Sequence, residues 1–329
     1  MFIKKISLII FFILLSITTV LSVNEQVFLI IDAPHTKNLD ANLPLINCPG
    51  DDTLPRNWRM CTDILKNNEN IPVPSLEGYN TLNISGSGSF STGQFEKLME
   101  ALGDRKVIII DLREESHGLV NNMCVSWYKT TNNLNEGKSL EEISLIEKNL
   151  LNKLKDDGKT DIDLILKRPD MLNAGTWDIK KIPLKVEQVM TEEELVTEYG
   201  YGYYRIPVTD LRRPEDNEVN DFINFYKNLS GDTWLHFHCK AGKGRTTTFM
   251  AMYDMMKNYD KVKKEDIINR QWISGGLNLM DIDDPGNINI EWAKARRDFI
   301  LKFYDYCSQK GPDYKITWTE WLKGKVPEQ

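Results

Sequence analysis

The stretch from Trp234 to Thr247, Trp-Leu-His-Phe-His-Cys-Lys-Ala-Gly-Lys-Gly-Arg-Thr-Thr, constrains this chain more than any other. Its first six residues read as a strand, Lys240 to Gly244 as a loop with two glycines, and Thr246 to Lys257 as a helix. Successive backbone N–H groups of such a loop point inward, and the helix N-terminus adds its positive end, so the unit is a nest for an anion. Cys239 sits at the floor of the nest, where a thiolate is stabilised and the thiol pKa is depressed. Arg245, with five residues between it and Cys239, is placed to fork onto two phosphate oxygens with a fixed charge. His238 precedes the nucleophile candidate, and Thr246 is placed to donate to the sulfur. Gly242 and Gly244 let backbone approach a ligand closely. A lone cysteine is usually a buried, inert one. Here strand, loop, glycines, arginine and helix occur together and in order, which favours the reactive reading.

The flanking sequence is consistent with an α/β fold. Val107-Ile108-Ile109-Ile110-Asp111 is a continuous apolar run, the pattern of a strand buried on both faces. Phe95, Leu98, Met99 and Leu102 give helical spacing from Thr92, with Gly103 as a stop. Ser139-Leu140-Glu141-Glu142 is a capping box that opens a helix to about Leu154, and Thr191 opens a shorter one. Tyr203 to Val208 reads as a strand, and helices are expected over 216–229, 265–272 and 290–307. Residues 24–76 read as an irregular arm, and 158–189 as a small β-rich insertion. The resulting expectation is a central sheet flanked by helices. The expected divisions are a leader over 1–22, an arm and first part of the main domain over 23–120, a β-rich insertion with helices over 121–200, and a loop-bearing domain over 201–329.

Asp210 ends a predicted strand 29 residues before Cys239, in Val208-Thr209-Asp210-Leu211-Arg212-Arg213-Pro214. An aspartate before a proline is commonly a turn former. Beside a thiolate loop it also suits general acid–base work, as acid in one step and base for water in the next. Because Asp210 must then be protonated while Cys239 is ionised, an acidic optimum is expected.

Lys240 and Lys243 place two ammonium groups at the loop, which raises affinity for a ligand with several phosphates. Arg212 and Arg213 flank the aspartate. Lys294, Arg296 and Arg297 cluster on the last long helix, where a solvated face is the plainer reading for Lys294 and weighs equally with a binding role for Arg296. The four histidines show no metal-ligand spacing, and Asp111, Arg113 and His117 are expected to support the site by hydrogen bonds.

Lys4 and Lys5 followed by the apolar run Ile6 to Leu21 read as a cleavable export signal ending near Ser22, with an uncleaved anchor as the alternative. Removing the two lysines takes the net charge from −7 to −9. That acidity argues against a nucleic-acid binder. Five cysteines are too few for a disulfide scaffold, and whether Cys48, Cys61, Cys124 or Cys307 pair is open.

Taken with Leu54–Trp58-Arg59, Leu82–Ser87, Asp111–Gly118, Val125–Tyr128, Gly275-Gly276 and Trp318–Leu322, the loop resembles that of the protein-tyrosine-phosphatase-like inositol polyphosphate phosphatases, or cysteine phytases. The resemblance runs from about Leu54 onward. It implies an α/β phosphatase domain with a small, partly open β-barrel, no metal or other cofactor, and inositol phosphates such as phytate as substrate. By it, Cys239 is the nucleophile, Arg245 the phosphate-binding arginine and Asp210 the general acid. The loop residues Lys240, Ala241, Gly242, Lys243 and Gly244 and the basic set Arg212, Arg213, Lys294, Arg296 and Arg297 contact substrate. Cys-Lys-Ala-Gly-Lys-Gly-Arg is also similar to the loop of the tumour-suppressor phosphoinositide 3-phosphatase. Two departures are Leu211, where the family often has His, and Asn132, where some members carry an acidic residue.

The expectation is therefore a secreted or periplasmic enzyme without stable membrane association. A phosphotyrosine or phosphoinositide phosphatase of the exported-effector type is the first alternative, and a non-catalytic inositol-phosphate module the second. Oligomeric state is not legible.

Overall fold

The computed structural model describes residues 35–36, 40–65, 71–127, 134–167, 178–284, 289–311 and 313–324. The leader, Asn132 and Tyr128 lie outside the described residues. No helix among the described residues is long and apolar enough to cross a membrane.

Among the described residues, twelve strands form two sheets. In chain order they are β1 (His35–Thr36), β2 (Pro44–Cys48), β3 (Arg59–Met60), β4 (Ile84–Gly88), β5 (Val107–Asp111) and β6 (His117–Val120). Then come β7 (Met123–Trp127), β8 (Lys159–Lys167), β9 (Asp178–Lys185), β10 (Val189–Met190), β11 (Gly202–Arg205) and β12 (Trp234–Cys239). The described helices are α1 (Thr92–Leu102), α2 (Leu140–Asp157), α3 (Glu192–Glu198), α4 (Asp216–Lys227), α5 (Gly244–Asn258), α6 (Lys264–Ile273), α7 (Ile290–Lys310) and α8 (Trp318–Leu322).

The five-stranded sheet has the order β11-β5-β12-β4-β3. β12 runs parallel to both β5 and β4, so every residue of Trp234–Cys239 is buried. A central parallel strand needs apolar cover on both faces. Here Phe237, Leu235, Ile109 and Ile110 supply it, with Phe222, Phe249 and Met252 from the helices. The capping box at Ser139 closes as the sequence predicts, and further boxes close at Ser91 and Thr191.

The seven-stranded sheet, β1-β9-β8-β2-β7-β6-β10, is open at both ends among the described residues. Its own smaller core includes Val120, Val125, Trp127, Leu151 and Ile162.

Within 24–76, where the sequence predicts an irregular arm, the described residues include paired strands. β2 sits in the middle of the seven-stranded sheet, pairing with β7 and β8, and β3 edges the other sheet. These pairings join segments far apart in sequence, which local composition does not reveal. They also cut across the division expected at residue 120, since β2 and β6 share a sheet with β7 to β9. The segment 112–116 leaves β5 and enters β6, and so crosses from one sheet to the other directly below the loop after β12.

Candidate active site

β12 delivers Cys239 to the mouth of the parallel sheet, and α5 begins five residues later at Gly244. The loop between them is a tight cradle. Gly242 has φ +73°, and a Cβ there would lie 2.4 Å from the backbone of Ser87 and Gly88. Both the dihedral and the space therefore demand glycine. The Gly242 N–H donates to Cys239 Sγ at 3.3 Å.

Burial by itself pushes the Cys239 thiol up, but the charge of Arg245 and the hydroxyl and N–H of Thr246 outweigh it, leaving the pKa below that of an ordinary cysteine. The negative charge of Asp210 opposes this in part. Cys239 and Thr246 are buried, and Arg245 is only 2% exposed.

Arg245 is held from several sides. Its Nη1 donates to the carbonyls of Leu112 (3.1 Å) and Val208 (3.0 Å) and to Glu115 Oε2 (2.7 Å). Its Nη2 donates to Glu115 Oε1 at 3.1 Å and lies 3.0 Å from Asp210 Oδ1. Glu115 in turn accepts from Arg113 Nε at 3.0 Å. Although burial alone would raise it, the two guanidiniums hold the Glu115 carboxyl far below the usual carboxylate range. Asp210 thus stands beside both Arg245 and the thiol. The next residue, Leu211, has φ +67°, and its N–H donates to Asp210 Oδ1 at 3.0 Å. A left-handed leucine is strained, and strain of this kind collects at functional loops.

Three side chains not assigned roles from the sequence, Arg56, Asn57 and Arg59, brace the loop through its carbonyls. Arg59, 1% exposed, donates to the Gly242 carbonyl at 2.8 Å and to Thr247 Oγ1 at 3.3 Å. Asn57 donates to the Ala241 carbonyl at 2.7 Å, and Arg56 to that of Lys240. Their only signal in sequence is the Leu54–Arg59 marker.

Below the loop, His236 hydrogen-bonds Ser85 and Ser87 at 2.9 and 3.0 Å, and burial keeps it neutral. His238 is different. Burial lowers it, but Glu192 at 2.7 Å and Asp111 more than compensate, so it is held charged more readily than a free histidine. Asp111 also meets His117 at 3.3 Å and Arg205 at 3.1 Å. The linear spacing of the histidines offers no metal site, yet folding brings ligand atoms of Asp111, Glu192 and His238 within 4.8 Å of one another. These groups are already ion-paired with one another, with His117 and with Arg205, and such compensated charges leave little to attract a cation.

The predicted basic residues divide. Arg296 is buried, donates to the Leu211 carbonyl at 3.4 Å, and its Nη1 lies 3.0 Å from where a Gly244 Cβ would stand. Lys240 is buried in the loop, and Lys243 Nζ donates to the Gly275 carbonyl at 2.7 Å. Arg212 pairs with Glu136 at 2.6 Å and lies over Trp292. Arg213 pairs with Asp216 at 3.0 Å. Lys294 and Arg297 pair with Glu291 and Asp298 on their own helix.

A parallel sheet whose central strand ends in a cysteine, an amide cradle and a buried arginine defines the cysteine-phosphatase class of fold. Residues 110–257 match the family model PTPlike_phytase, described as inositol hexakisphosphate. The PTP-like myo-inositol phosphatase from Mitsuokella multacida, solved with myo-inositol-(1,3,4,5)-tetrakisphosphate, is 33% identical with a TM-score of 0.80 over 89% of this chain and 50% of that one. A PTP-like phytase from Bdellovibrio bacteriovorus is 28% identical with a TM-score of 0.65, covering 88% of this chain and 97% of that one. Effector protein hopD2 of Pseudomonas syringae pv. tomato is 29% identical over 74% of this chain and 52% of its own length. The chain spans about half the length of the effector and of the Mitsuokella protein. By these comparisons the chain is similar to the PTP-like phytase family.

Proposed function

We propose that this chain is a cysteine-dependent phosphatase that hydrolyses phosphomonoesters of myo-inositol polyphosphates, phytate first, through a cysteinyl-phosphate intermediate. The observation that carries the proposal is the convergence on Cys239 of the Gly242 N–H, Thr246, Arg245 and Asp210. In this reading the Cys239 thiolate attacks phosphorus in line. The loop amides and Arg245 bind the equatorial oxygens, supplying the positive charge that a metal gives other phosphatases. Asp210 protonates the leaving alkoxide. It then takes a proton from the water that attacks the cysteinyl phosphate, which releases inorganic phosphate and restores the thiolate.

Lys240, Lys243 and Arg296 at and over the loop support a substrate with several phosphates. The tetrakisphosphate in the Mitsuokella complex supports the same class. The apolar run at 6–21 alone supports an exported location. The first alternative, a phosphoprotein or phosphoinositide substrate, draws on the effector relative and on the human dual specificity protein phosphatase CDC14A, 36% identical over 76 residues.

Phosphate release from inositol hexakisphosphate and from a phosphotyrosine peptide, measured side by side with chelator present and Cys239→Ser as blank, tests the reading. Release from the inositol substrate, lost in the variant, is expected. Preference for the peptide would move the protein to the alternative. Binding of the inositol without release would make it a sensor.

A further inference from the structure

Two cysteines outside the mechanism face each other. Cys48 ends β2 and Cys124 lies in β7, and the two are direct cross-strand partners in an antiparallel pair. A bulge precedes Cys48, so that two residues of β2 oppose one of β7. Directly opposed antiparallel residues have Cα separations of about 4.5–5.5 Å, within the range a disulfide spans. The Cys48 thiol donates to the Ser89 carbonyl at 3.1 Å. Arg113 Nη1 donates to Cys124 Sγ at 3.8 Å. Both cysteines are buried, at 5% and 2% exposure.

We infer that Cys48 and Cys124 form a redox centre: a dithiol that closes to a cross-strand disulfide under peroxide, separately from Cys239. The pair is chemically unequal. The neighbouring Cys48 side chain and the Arg113 charge pull Cys124 below an ordinary thiol against the effect of burial, while the neighbouring Cys124 and burial push Cys48 up. Cys124 is therefore the attacking sulfur. Its thiolate attacks one peroxide oxygen and the O–O bond breaks. The departing hydroxide takes a proton and leaves as water, with Cys124 as the sulfenic acid. Cys48 then loses its proton, its sulfur attacks Cys124 Sγ, and the S–O bond breaks to release a second water. Two thiols and one peroxide give one disulfide and two waters, the two electrons passing from sulfur to peroxide.

The centre is wired to the candidate active site on both sides. Arg113, the partner of Cys124, also holds Glu115, which holds Arg245. Ser89, the partner of Cys48, donates to the Lys240 carbonyl through its N–H (3.3 Å) and hydroxyl (3.2 Å). Cys61 and Cys307 are also buried, but Cys61 lies against β4 and Cys307 on α7, and neither has such a partner.

The test uses the full chain carrying Cys239→Ser, treated with hydrogen peroxide and followed by intact mass and by peptide mapping with and without dithiothreitol. A mass lower by two hydrogens is expected, with the Cys48 and Cys124 peptides linked and the link reversed by dithiothreitol. Cys48→Ser in the same background should lose the link and leave Cys124 as a sulfenic acid that dimedone traps. Sulfinic acid at Cys124 with Cys48 still a free thiol would overturn the inference. So would linkage to Cys61 or Cys307, or unmodified thiols at a peroxide dose that oxidises Cys239 in the wild type. The mapping of the Cys239→Ser parent decides the matter even where Cys48→Ser fails to fold.

Discussion

Glu115 and Arg245 meet fork to fork, with Nη1 donating to Oε2 at 2.7 Å and Nη2 to Oε1 at 3.1 Å. Since Arg113 grips the same carboxylate, one buried anion orders two buried cations. Glu115 touches neither the thiol nor, in the proposed reaction, the substrate, so it is a positioning residue for the guanidinium that does. Glu115→Gln keeps the shape and removes the charge, leaving the buried Arg113 without its carboxylate partner and Arg245 with Asp210 alone. Breaking a buried pair in this way costs about 3 kcal/mol. A fall of that size in denaturant unfolding, with kcat reduced more than KM is raised, is the expected outcome. Unchanged stability would show that the pair contributes nothing net.

The ionisation of Cys239 is set by neighbours of opposite effect. Arg245 and Thr246 lower its pKa against burial, and Asp210 raises it. Alkylation by iodoacetamide, followed against pH, should therefore show a midpoint below that of an ordinary cysteine. Thr246→Ala should move the midpoint up and Asp210→Asn should move it down. Identical midpoints in wild type and Thr246→Ala would remove the hydroxyl from the account.

The elements around this site differ in how plainly the sequence announced them. β5 and β12 are continuous apolar runs, and α1, α2 and α3 carry capping boxes, so each is written in neighbouring residues. The cysteine, arginine and loop glycines are legible for the same reason, since one strand, one loop and one helix hold them all. β2 is not, because its pairing with β7 joins residues about eighty apart, and its flanks are rich in Asn and Pro. The work of Arg59 and Glu115 appears only after β3 and the 112–116 segment dock against the loop. The basic residues show the opposite failure. Their helical spacing drew Lys294, Arg296 and Arg297 together, but only the facing of α7 separates the buried Arg296 from its solvated neighbours.

Asp210 is assigned the proton that the leaving alkoxide needs, and that need depends on the leaving group. Loss of a general acid costs about 10²- to 10⁴-fold with a poor leaving group. With inositol hexakisphosphate, Asp210→Asn should fall by such a factor, whereas with an aryl phosphate, whose phenolate leaves unaided, the first step should fall far less. Burst kinetics with the aryl ester separate that step from hydrolysis of the intermediate. Equal losses in phosphoenzyme formation for both substrates would mean that Asp210 acts through placement of Arg245, from which it lies 3.0 Å, and not as an acid.

Glu218 offers a test of the fold's electrostatics away from the thiol. It lies in the first turn of α4, where its Oε2 accepts from the Glu215 N–H at 2.8 Å. Burial pushes its carboxyl up to about 8, with the nearby Glu215, Glu114 and Asp221 adding to the rise and the backbone hydrogen bond opposing it. A group whose folded-state pKa lies above its unfolded value favours the fold when protonated. Below the ordinary carboxylate range the residue is neutral in both states and costs nothing. As pH rises toward about 8 the unfolded chain ionises freely while the folded chain resists, so stability falls; above that, the cost is constant. Glu218→Gln keeps an oxygen for the Glu215 N–H and removes the titration. Its unfolding free energy should match the wild type at pH 4, exceed it increasingly through neutrality, and hold a constant advantage above about pH 8. A difference that stays flat from pH 4 to 9 would show that the carboxyl is solvated in the folded chain.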